Sequence, residues 1–371
     1  MERSPGFRCF LNPRAGAPGM VVLPEAGFRR ARAAIAAWPG YAPTPLRDLP
    51  GIAAATGVAA IRIKDESGRF GLGSFKALGG AYAVDMAVGA EAARRAAPPA
   101  ALTVTCATDG NHGRAVAWGA ARAGCRAVIF VHATVSPSRA EAIARLGAEI
   151  RRVPGTYDDA VRAAAATAEA EGWIVVSDTS WPGYTEIPRA VMQGYRVMAD
   201  EAADQWTGAP PSHVFIQGGV GGVAAAVAVQ VHAGFAPAPS VVVVEPDRAA
   251  CLLASAEAGH AVAVGGALDT IMAGLACGEP SLLAWQVLER AAAAFLAIPD
   301  EAAVAAMRAL AAEGVEAGES GAAGAAGLIA AAADPAARAA LGLNDRSRVL
   351  LFGTEGATDP ELYRRLVPAR G

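Results

Sequence analysis

Short runs of β-branched and other apolar residues alternate with alanine-rich amphipathic stretches along almost the whole chain. Short apolar runs bounded by turn-forming residues are typical of buried strands, whereas longer stretches with apolar residues at helical spacing predict helices. Strand followed by helix, repeated many times, predicts right-handed βαβ units and mainly parallel sheets, that is, an α/β fold. The predicted strands are 60–63, 102–106, 127–131, 173–177, 213–217, 240–245 and 349–352.

Helices are predicted between these strands, most clearly over 138–146 and 157–171. The alanine-rich segments 291–294 and 330–333 are also interpreted as parts of helices, because alanine has the highest helix propensity. No linker rich in Pro, Gly or Ser divides the chain. We therefore expect any second domain to be inserted into the first, with a cleft shared between the two.

The composition argues against several classes of function. The chain has 371 residues, of which 53% are hydrophobic and 18% charged, which is enough for a large core and more than one domain. A net charge of -3 argues against binding to nucleic acid or to an acidic membrane. No apolar run is long enough for a transmembrane helix, and the polar start lacks the hydrophobic core of a signal peptide.

Cysteine and histidine spacing leads to two further expectations. The five cysteines are scattered without paired spacing, which predicts reduced thiols and a cytoplasmic location. The five histidines never fall at ligand spacing, so we expect no bound metal.

The chain contains only two lysines, Lys64 and Lys76, among 32 basic residues. Arginine can replace lysine as a cation, but it cannot lose its proton and attack an aldehyde. A lysine that persists in such an arginine-rich sequence is therefore a candidate reactive amine. Chance survival is the alternative for either lysine taken alone.

Lys76 follows the glycine-rich loop 71–75 (GLGSF) and begins a predicted helix. The positive end of a helix dipole favours a neutral amine over an ammonium, and the neutral amine is the nucleophile. The alternative is a lysine that simply ends a surface loop.

A second glycine-rich turn, 217–222 (QGGVGG), follows an apolar strand and precedes the predicted helix 223–232. Glycines let successive backbone N–H groups point at one anion at the start of a helix, which makes a phosphate cradle. The residues of this cradle are Gly218, Gly219, Val220, Gly221 and Gly222.

The same turn also fits the G-x-G-x-x-A pattern of dinucleotide-binding proteins over 219–224. Glu245 ends a strand of four valines, where a ribose-binding acid would lie, although 26 residues separate it from Gly219. A nicotinamide-dependent dehydrogenase is therefore an alternative function. The remaining alternative is that the glycine turn binds no ligand and only allows the strand to pack tightly against the helix.

Three further loops follow predicted strands: 108–113 (TDGNHG), 177–184 (SDTSWPGY) and 352–360 (FGTEGATDP). Parallel α/β proteins bind ligands at the carboxyl ends of their strands. Taken alone, Asp109 could cap a helix and His112 could be a solvated first-turn residue. Taken together, all five loops can line one cleft, and a reactive amine beside a phosphate cradle suits pyridoxal phosphate better than a dinucleotide.

These residues resemble the fold-type II pyridoxal-phosphate enzymes, the family of tryptophan synthase β-chain, threonine dehydratase and cysteine synthase. The segment 74–76 (SFK) is similar to the family's Schiff-base motif, 218–222 to its phosphate loop, and 110–113 (GNHG) to its asparagine loop. The resemblance covers roughly 45–360. It implies two parallel-rich α/β domains with the cofactor in the cleft between them: a large domain of 1–86 plus 196–371 and a small inserted domain of 87–195.

The resemblance also implies a role for each site residue. Lys76 carries pyridoxal phosphate, and Asn111 hydrogen-bonds its phenolic oxygen. Thr354 lies against the pyridine nitrogen, where a neutral partner leaves the ring unprotonated and suits elimination better than transamination. The residues expected to bind the substrate are Ser74, Thr108, Asp109, Gly110, His112 and Asp178.

Within this family the chain is most similar to the diaminopropionate ammonia-lyases, through the segments 64–67 (KDES), 108–114, 178–185 and 354–360. Asp109 is the most telling residue, because dehydratases usually have a small neutral residue at that position. The resemblance implies that Asp109 and Asp178 serve the substrate. Lys76 is then the expected base for the L-isomer, Asp109 the candidate base for the D-isomer, and Asp178 the group that binds or protonates the departing amine.

The expected reaction is α,β-elimination of 2,3-diaminopropionate to pyruvate and two ammonia, catalysed by a homodimer that binds neither nucleic acid nor a membrane. Gly73-Ser74 departs from the Asn-Ala expected in that subfamily. A serine, threonine or hydroxyaspartate dehydratase on the same fold is therefore an alternative. The dehydrogenase and, if Lys76 is not reactive, a small-ligand sensor are alternatives from other classes.

Overall fold

The computed structural model of the chain describes residues 6–17, 19–108 and 110–368. Its strands are β1 (Arg8–Leu11), β2 (Leu46–Asp48), β3 (Ala60–Asp65), β4 (Thr103–Ala107), β5 (Arg126–His132), β6 (Glu149–Val153), β7 (Ile174–Val175), β8 (His213–Gln217), β9 (Ser240–Pro246), β10 (Ala292–Ile298) and β11 (Arg348–Gly353). Its α-helices are α1 (Glu25–Ala36), α2 (Pro50–Thr56), α3 (Lys76–Arg95), α4 (Asn111–Ala123), α5 (Pro137–Ala144), α6 (Tyr157–Glu171), α7 (Glu186–Gln205), α8 (Gly222–Gly234), α9 (Cys251–Ala258), α10 (Leu282–Ala291), α11 (Asp300–Ala312), α12 (Ala323–Ala333), α13 (Pro335–Leu341) and α14 (Pro360–Leu366). Across the part of the chain that is described, no helix is long and apolar enough to cross a membrane.

The strands form two sheets. The larger has seven strands in the order β1-β10-β9-β8-β11-β3-β2, with the edge strands β1 and β2 antiparallel to their neighbours and the inner pairs parallel. The smaller has four parallel strands in the order β6-β5-β4-β7. The predicted α/β fold with mainly parallel sheets is therefore confirmed.

Every strand predicted from the sequence is present, with ends that differ by at most two residues. The prediction of a helix over 291–294 is wrong, because α10 ends at Ala291 and β10 begins at Ala292. Residues 294–298 of this strand are fully buried between β1 and β9. Pairing and burial in the sheet outweigh the helix propensity of alanine here. The segment 330–333 lies in α12, as predicted.

All strands of the smaller sheet fall within residues 103–175. The predicted small domain, 87–195, contains them. Both predicted domain boundaries fall inside long helices, α3 and α7. The division of the chain at these boundaries stays a prediction.

Glycines allow α3 and α7 to pack with their backbones in close contact. A Cβ atom on Gly194 would lie 2.0 Å from the carbonyl oxygen of Leu78, and one on Gly79 would lie 2.4 Å from the ring of Tyr195. The rings of Phe75 and Tyr195 pack with their centres 4.5 Å apart, immediately before the first residue of α3. The start of α3 is thereby fixed against α7.

Replacing Gly194 by alanine should destabilise the protein, because the added methyl group has no room at this contact. Overpacking of this kind costs about 1–3 kcal/mol. The Tm, followed by circular dichroism, should fall by a few degrees. Gly89→Ala is the matched control, since Gly89 also lies in α3 but no described residue lies within 4 Å of an added Cβ there. The control should gain about 0.5–1 kcal/mol. Equal Tm values for the two variants would contradict the close packing of the helices.

Candidate active site

Lys76 and Asp178 form the centre of the site. Lys76 is the first residue of α3, and Asp178 follows β7 in the smaller sheet. The Lys76 Nζ lies 2.5 Å from Asp178 Oδ2. Their side chains are 21% and 20% exposed, so the ion pair is reached from solvent and is not sealed in the core. The fold thus joins two predicted catalytic residues that are 102 positions apart.

This ion pair sets the charge on both residues. Burial alone would disfavour the Lys76 ammonium, but the charge of Asp178 outweighs it and raises the pKa of Lys76 above its ordinary value. Burial would likewise disfavour the carboxylate, but the Lys76 ammonium holds the pKa of Asp178 below its ordinary range. The expectation of a neutral amine at the helix start is therefore wrong, because a carboxylate in contact outweighs the partial charge of a helix end.

His112 lies next to Asp178 as a neutral ring. Its Nε2 contacts the carbonyl oxygen of Val176 at 2.8 Å, and its Nδ1 lies 3.9 Å from Asp178 Oδ2 with no hydrogen-bond partner among the described residues. Burial lowers the pKa of His112 despite the opposing charge of Asp178. A ring that donates from Nε2 to a carbonyl has a lone pair at Nδ1 and cannot donate to the carboxylate. The His112 side chain is buried, so the alternative of a solvated first-turn residue is wrong.

The glycine turn after β8 is shaped to hold an anion. The Gly218 N–H donates to the carbonyl oxygen of Val244, whereas the N–H groups of Gly219, Val220 and Gly221 donate to no backbone carbonyl in the described part of the chain. These free donors lie at the start of α8, where the helix dipole adds a positive potential.

Gly222 brings the cradle and the ion pair into one cleft. A Cβ atom on Gly222 would lie 3.7 Å from the backbone oxygen of Asp178, so the start of α8 adjoins the end of β7. Gly221 is required by the backbone conformation of the turn. Its φ is +94°, and a Cβ there would lie 3.1 Å from Leu252 in the core. The left-handed conformation at this position requires glycine whether or not an anion is bound.

Glu245, the candidate ribose-binding acid, is engaged elsewhere. Its two carboxylate oxygens accept the backbone N–H groups of Leu252 and Leu253 at 2.8 and 2.7 Å, at the start of α9. The side chain is fully buried. Glu245 therefore caps a helix and is not accessible to a ribose hydroxyl, which removes the second feature of the dinucleotide interpretation.

Thr354 follows β11, and its hydroxyl is oriented by Gln217. The Gln217 Nε2 donates to Thr354 Oγ1, while Gln217 Oε1 is buried without a partner among the described residues. Because its oxygen already accepts from Gln217, the Thr354 hydroxyl can donate its hydrogen to another acceptor. The Phe75 N–H donates to the Thr354 carbonyl at 3.0 Å, and Ser74 forms a β-bridge with Glu355. These contacts hold the loop before α3 against the end of β11.

Asn111 begins α4, and its amide is fixed by Glu355. The Asn111 Nδ2 donates to Glu355 Oε2, and Glu355 Oε1 accepts the backbone N–H of Ser320 at 3.1 Å. Glu319 interacts with this carboxylate, is 3% exposed, and its Oε1 lacks a partner among the described residues. Burial, together with the charge of Glu355, raises the pKa of Glu319 to about 7. The second amide hydrogen of Asn111 can still donate to a ligand.

Thr108 shapes the loop that leads into α4. Its Oγ1 accepts the backbone N–H groups of Gly110 at 3.0 Å and Gly113 at 3.1 Å. Asp109 lies outside the described residues. The contacts of the other predicted site residues place them around the Lys76–Asp178 pair and the neighbouring strand ends, and their contacts with a substrate stay a prediction.

The sequence patterns give no role to Gln217, Glu319 or Glu355. Gln217 ends β8 and Glu355 follows Thr354, so their positions at strand ends are a usable signal. Glu319 lies in an irregular segment between α11 and α12, where no strand or helix pattern points to the cleft.

Lys64, the second lysine, is a structural cation. Its Nζ lies 2.7 Å from Glu201, 2.6 Å from the Thr44 carbonyl and 2.8 Å from Gln205, in a fully buried position. Arg69 pairs with the same glutamate at 2.7 Å. A compact ammonium with three donors suits this buried network, which accounts for a lysine here without any reaction.

The cleft has the donors that pyridoxal phosphate requires. The Lys76 amine can bind its aldehyde, and the free N–H groups of 219–221 can hold its phosphate. The Asn111 amide and the Thr354 hydroxyl are free to donate to the phenolic oxygen and the pyridine nitrogen. The residues present therefore fit this cofactor.

Glu319 should make stability depend on pH. Its pKa is raised to about 7 from an ordinary 4.5, so the folded protein keeps a proton that the unfolded chain releases, and stability falls as pH rises through this window. Glu319→Gln cannot ionise, so from pH 5 to pH 8 the variant should gain about 2 kcal/mol of unfolding free energy relative to the wild type. Urea unfolding at both pH values measures the difference. Glu171→Gln, at the exposed end of α6, is the control. A pH-independent difference for Glu319→Gln would contradict the raised pKa.

Comparison with known proteins identifies the family of this chain. A family model described as pyridoxal-phosphate dependent enzyme matches residues 37–354. The diaminopropionate ammonia-lyase of Escherichia coli (strain K12) is 42% identical over 349 residues, covering 88% of each chain. That of Salmonella typhimurium (strain LT2) is 40% identical over 360 residues, covering 89% of each chain.

Solved structures of the same enzyme are also similar. The holo diaminopropionate ammonia lyase from Escherichia coli matches with a TM-score of 0.89 and 37% identity, over 98% of this chain and 96% of that one. Its complex with an aminoacrylate-PLP azomethine reaction intermediate matches with a TM-score of 0.88 and 38% identity, over 98% and 97%. The chain therefore belongs to the pyridoxal-phosphate-dependent enzymes and, within them, to the diaminopropionate ammonia-lyase family.

Proposed function

We propose that this protein catalyses the pyridoxal-phosphate-dependent α,β-elimination of 2,3-diaminopropionate, as the L- and the D-isomer, to pyruvate and two ammonia. The observation that carries the proposal is the Lys76–Asp178 ion pair beside the free N–H groups at the start of α8. It combines a reactive amine, a carboxylate and an anion site in one cleft. The relatives named diaminopropionate ammonia-lyase support the choice of substrate.

Lys76 is the anchor of the cofactor and the proposed base for the L-isomer. When bound, pyridoxal phosphate supplies an electron sink for the electron pair that remains after loss of the α-proton. The proton moves to the Lys76 Nζ. Asp178 favours this transfer, because its charge raises the pKa of Lys76 and stabilises the ammonium that forms.

Asp178 is also the proposed partner of the departing β-amino group. That group is a small cation of the same kind as the Lys76 ammonium, which Asp178 contacts at 2.5 Å. A carboxylate that remains ionised can bind it and help it to leave as ammonia. The released aminoacrylate then hydrolyses to pyruvate and the second ammonia.

Thr354 and Asn111 are proposed to tune the cofactor. A hydroxyl that donates to the pyridine nitrogen needs that nitrogen unprotonated, which limits the strength of the electron sink and favours elimination over transamination. Gln217 fixes the Thr354 hydroxyl, and Glu355 fixes the Asn111 amide, so both donors are oriented before a ligand binds.

A homodimer in the cytoplasm, with the small domain formed by 87–195, completes the proposal. The family resemblance supports the dimer, and the cysteines, which form no disulfide within the described residues, support the location. Size-exclusion chromatography with light scattering measures the oligomeric state.

A dehydratase on the same fold is the main alternative. A biosynthetic threonine dehydratase of Escherichia coli (strain K12) is 31% identical over 159 residues, which cover only 43% of this chain. A panel of L- and D-diaminopropionate, serine, threonine and 3-hydroxyaspartate, scored by 2-oxo acid and ammonia release, separates the two functions. Diaminopropionate should react fastest and yield two ammonia per pyruvate. Faster release from serine or threonine would reverse the choice.

Lys76 should be the residue that binds the cofactor covalently. Borohydride reduction of the holoenzyme, followed by peptide mass spectrometry, should place the cofactor on Lys76 and leave the buried Lys64 unmodified. Lys76→Ala should lose the yellow colour and the activity. Lys76→Arg is the matched variant, because it keeps a cation opposite Asp178 but cannot form the bond. Cofactor found on Lys64 would overturn the assignment.

Asp109 should matter for one isomer more than for the other. The two enantiomers present the α-proton on opposite faces, and one lysine can serve only one face well. Asp109→Asn keeps the size of the side chain but removes its basic site, so the rate on the D-isomer should fall by about two to four orders of magnitude. The rate on the L-isomer, the internal control, should fall far less. Equal losses on both isomers would point to a structural role instead.

A further inference from the structure

Tyr195 carries a buried hydroxyl beside the reactive lysine. The side chain lies in α7 and is 1% exposed, and its hydroxyl has no hydrogen-bond partner among the described residues. The Lys76 Nζ lies 5.7 Å from the centre of the Tyr195 ring, and the hydroxyl interacts electrostatically with both Lys76 and Asp178. Buried polar groups are almost always paired in folded proteins, so an unpaired hydroxyl beside the reactive lysine points to the Lys76 amine as its partner.

Packing alone holds this ring in place. Gly79 leaves the space that the ring fills, and Phe75 packs against it with ring centres 4.5 Å apart. The neighbouring Gly194 brings α7 against the backbone of Leu78. The Tyr195 hydroxyl is thus fixed at the first turn of the helix that begins with Lys76, although no hydrogen bond within the described part of the chain requires it.

The chemistry of a buried phenol suits a role beside an amine. Burial raises the pKa of Tyr195 above its ordinary value, although the Lys76 ammonium opposes this shift, so the phenol keeps its proton. A neutral hydroxyl can accept a hydrogen bond from an ammonium and donate one to a lone pair. It can therefore interact with the Lys76 amine in either protonation state.

We propose that Tyr195 is a positioning residue for Lys76: its hydroxyl is the second hydrogen-bond partner of the Lys76 amine, beside Asp178, when that amine acts as a base. The proton moves from the substrate α-carbon to Nζ, the C–H electron pair stays on the substrate, and the new ammonium donates one hydrogen to Tyr195 and another to Asp178. Without the hydroxyl, Nζ loses one of two contacts that hold it and favour its protonation. This role rests on the proposed function.

Tyr195→Phe tests this role, because it keeps the ring against Gly79 and Phe75 and removes only the hydroxyl. Tyr82→Phe is the matched control, since Tyr82 is another buried tyrosine and lies in α3 itself. In the holoenzyme, Tyr195→Phe should lower kcat for the L-isomer by about tenfold with little change in KM. This loss is smaller than the rate enhancement that a complete general base usually contributes. Exchange of the α-proton of L-alanine, which has no leaving group, with deuterated solvent should slow by a similar factor.

A second measurement is independent of turnover. Acetylation of Lys76 in the full-length protein stripped of cofactor, quantified by mass spectrometry across pH, reports the pKa of this amine, and Tyr82→Phe is again the matched control. Tyr195→Phe should lower the apparent pKa of Lys76 by about half a unit, which makes the amine about threefold more reactive at a fixed pH below its pKa. The Tm should change little, because the hydroxyl makes no hydrogen bond of ordinary geometry within the described residues and a half-unit pKa shift is a small change in free energy.

The outcomes separate the possible roles of Tyr195. A fall in Tm without any change in the reactivity of Lys76 would show a structural residue and overturn the proposal. An unchanged kcat and an unchanged Lys76 pKa would overturn it as well. If the wild-type holoenzyme eliminates no ammonia from diaminopropionate, the proposed function fails, while the acetylation measurement still decides whether Tyr195 acts on Lys76.

Discussion

The ion pair between Lys76 and Asp178 is the interaction on which the cleft depends. Lys76 begins the helix that follows β3 of the larger sheet, and Asp178 follows β7 of the smaller one, so the pair links the strand ends of both sheets. Each charge is only partly exposed and is compensated by the other. Loss of either partner would leave an unpaired charge in a partly desolvated cleft, which is far more costly than loss of a surface ion pair.

The rest of the site supports this pair with groups that are oriented but not fully paired. His112, Gln217, Glu319 and Tyr195 each have a buried polar atom without a partner among the described residues. The backbone N–H groups at the start of α8 likewise donate to no backbone carbonyl among the described residues. Such a concentration of unsatisfied donors and acceptors lowers stability, and it is typical of groups that are preorganised for a ligand. The close packing of α3 against α7 supplies the rigidity that this arrangement requires.

Much of this site follows from the sequence, for identifiable reasons. The rarity of lysine points to Lys76, and the glycine turn points to the anion cradle, because both depend on residue chemistry and on position next to a strand. Most inner strands are also predictable, since burial on both faces gives continuous apolar runs. The inner strand β10 is the exception, because its alanines predict a helix. The strands β1, β2 and β6 are not predicted, because they are edge strands and carry polar residues such as Arg8, Arg47 and Arg151.

The electrostatics and the supporting contacts require the three-dimensional structure. A helix N-terminus predicts a neutral lysine, but only the structure places the Asp178 carboxylate 2.5 Å away and reverses that expectation. Glu355 contacts Asn111, and Tyr195 lies beside Lys76. Both pairs are far apart in the sequence, so no local sequence pattern predicts them. Glu245 fits a ribose-binding position by sequence, but its oxygens are already occupied by the start of α9.

The control of Lys76 by Asp178 can be measured directly, because the chain contains only two lysines. Selective nitrogen-15 labelling of lysine gives two Nζ signals, and Lys76→Arg identifies that of Lys76 because the signal is lost. In the protein stripped of cofactor, we expect Lys76 to remain an ammonium above the ordinary lysine pKa of 10.5. In Asp178→Asn, where burial acts without the compensating charge, its pKa should fall below that value. A Lys76 pKa at or below 10.5 in the wild type, unchanged by Asp178→Asn, would contradict the account.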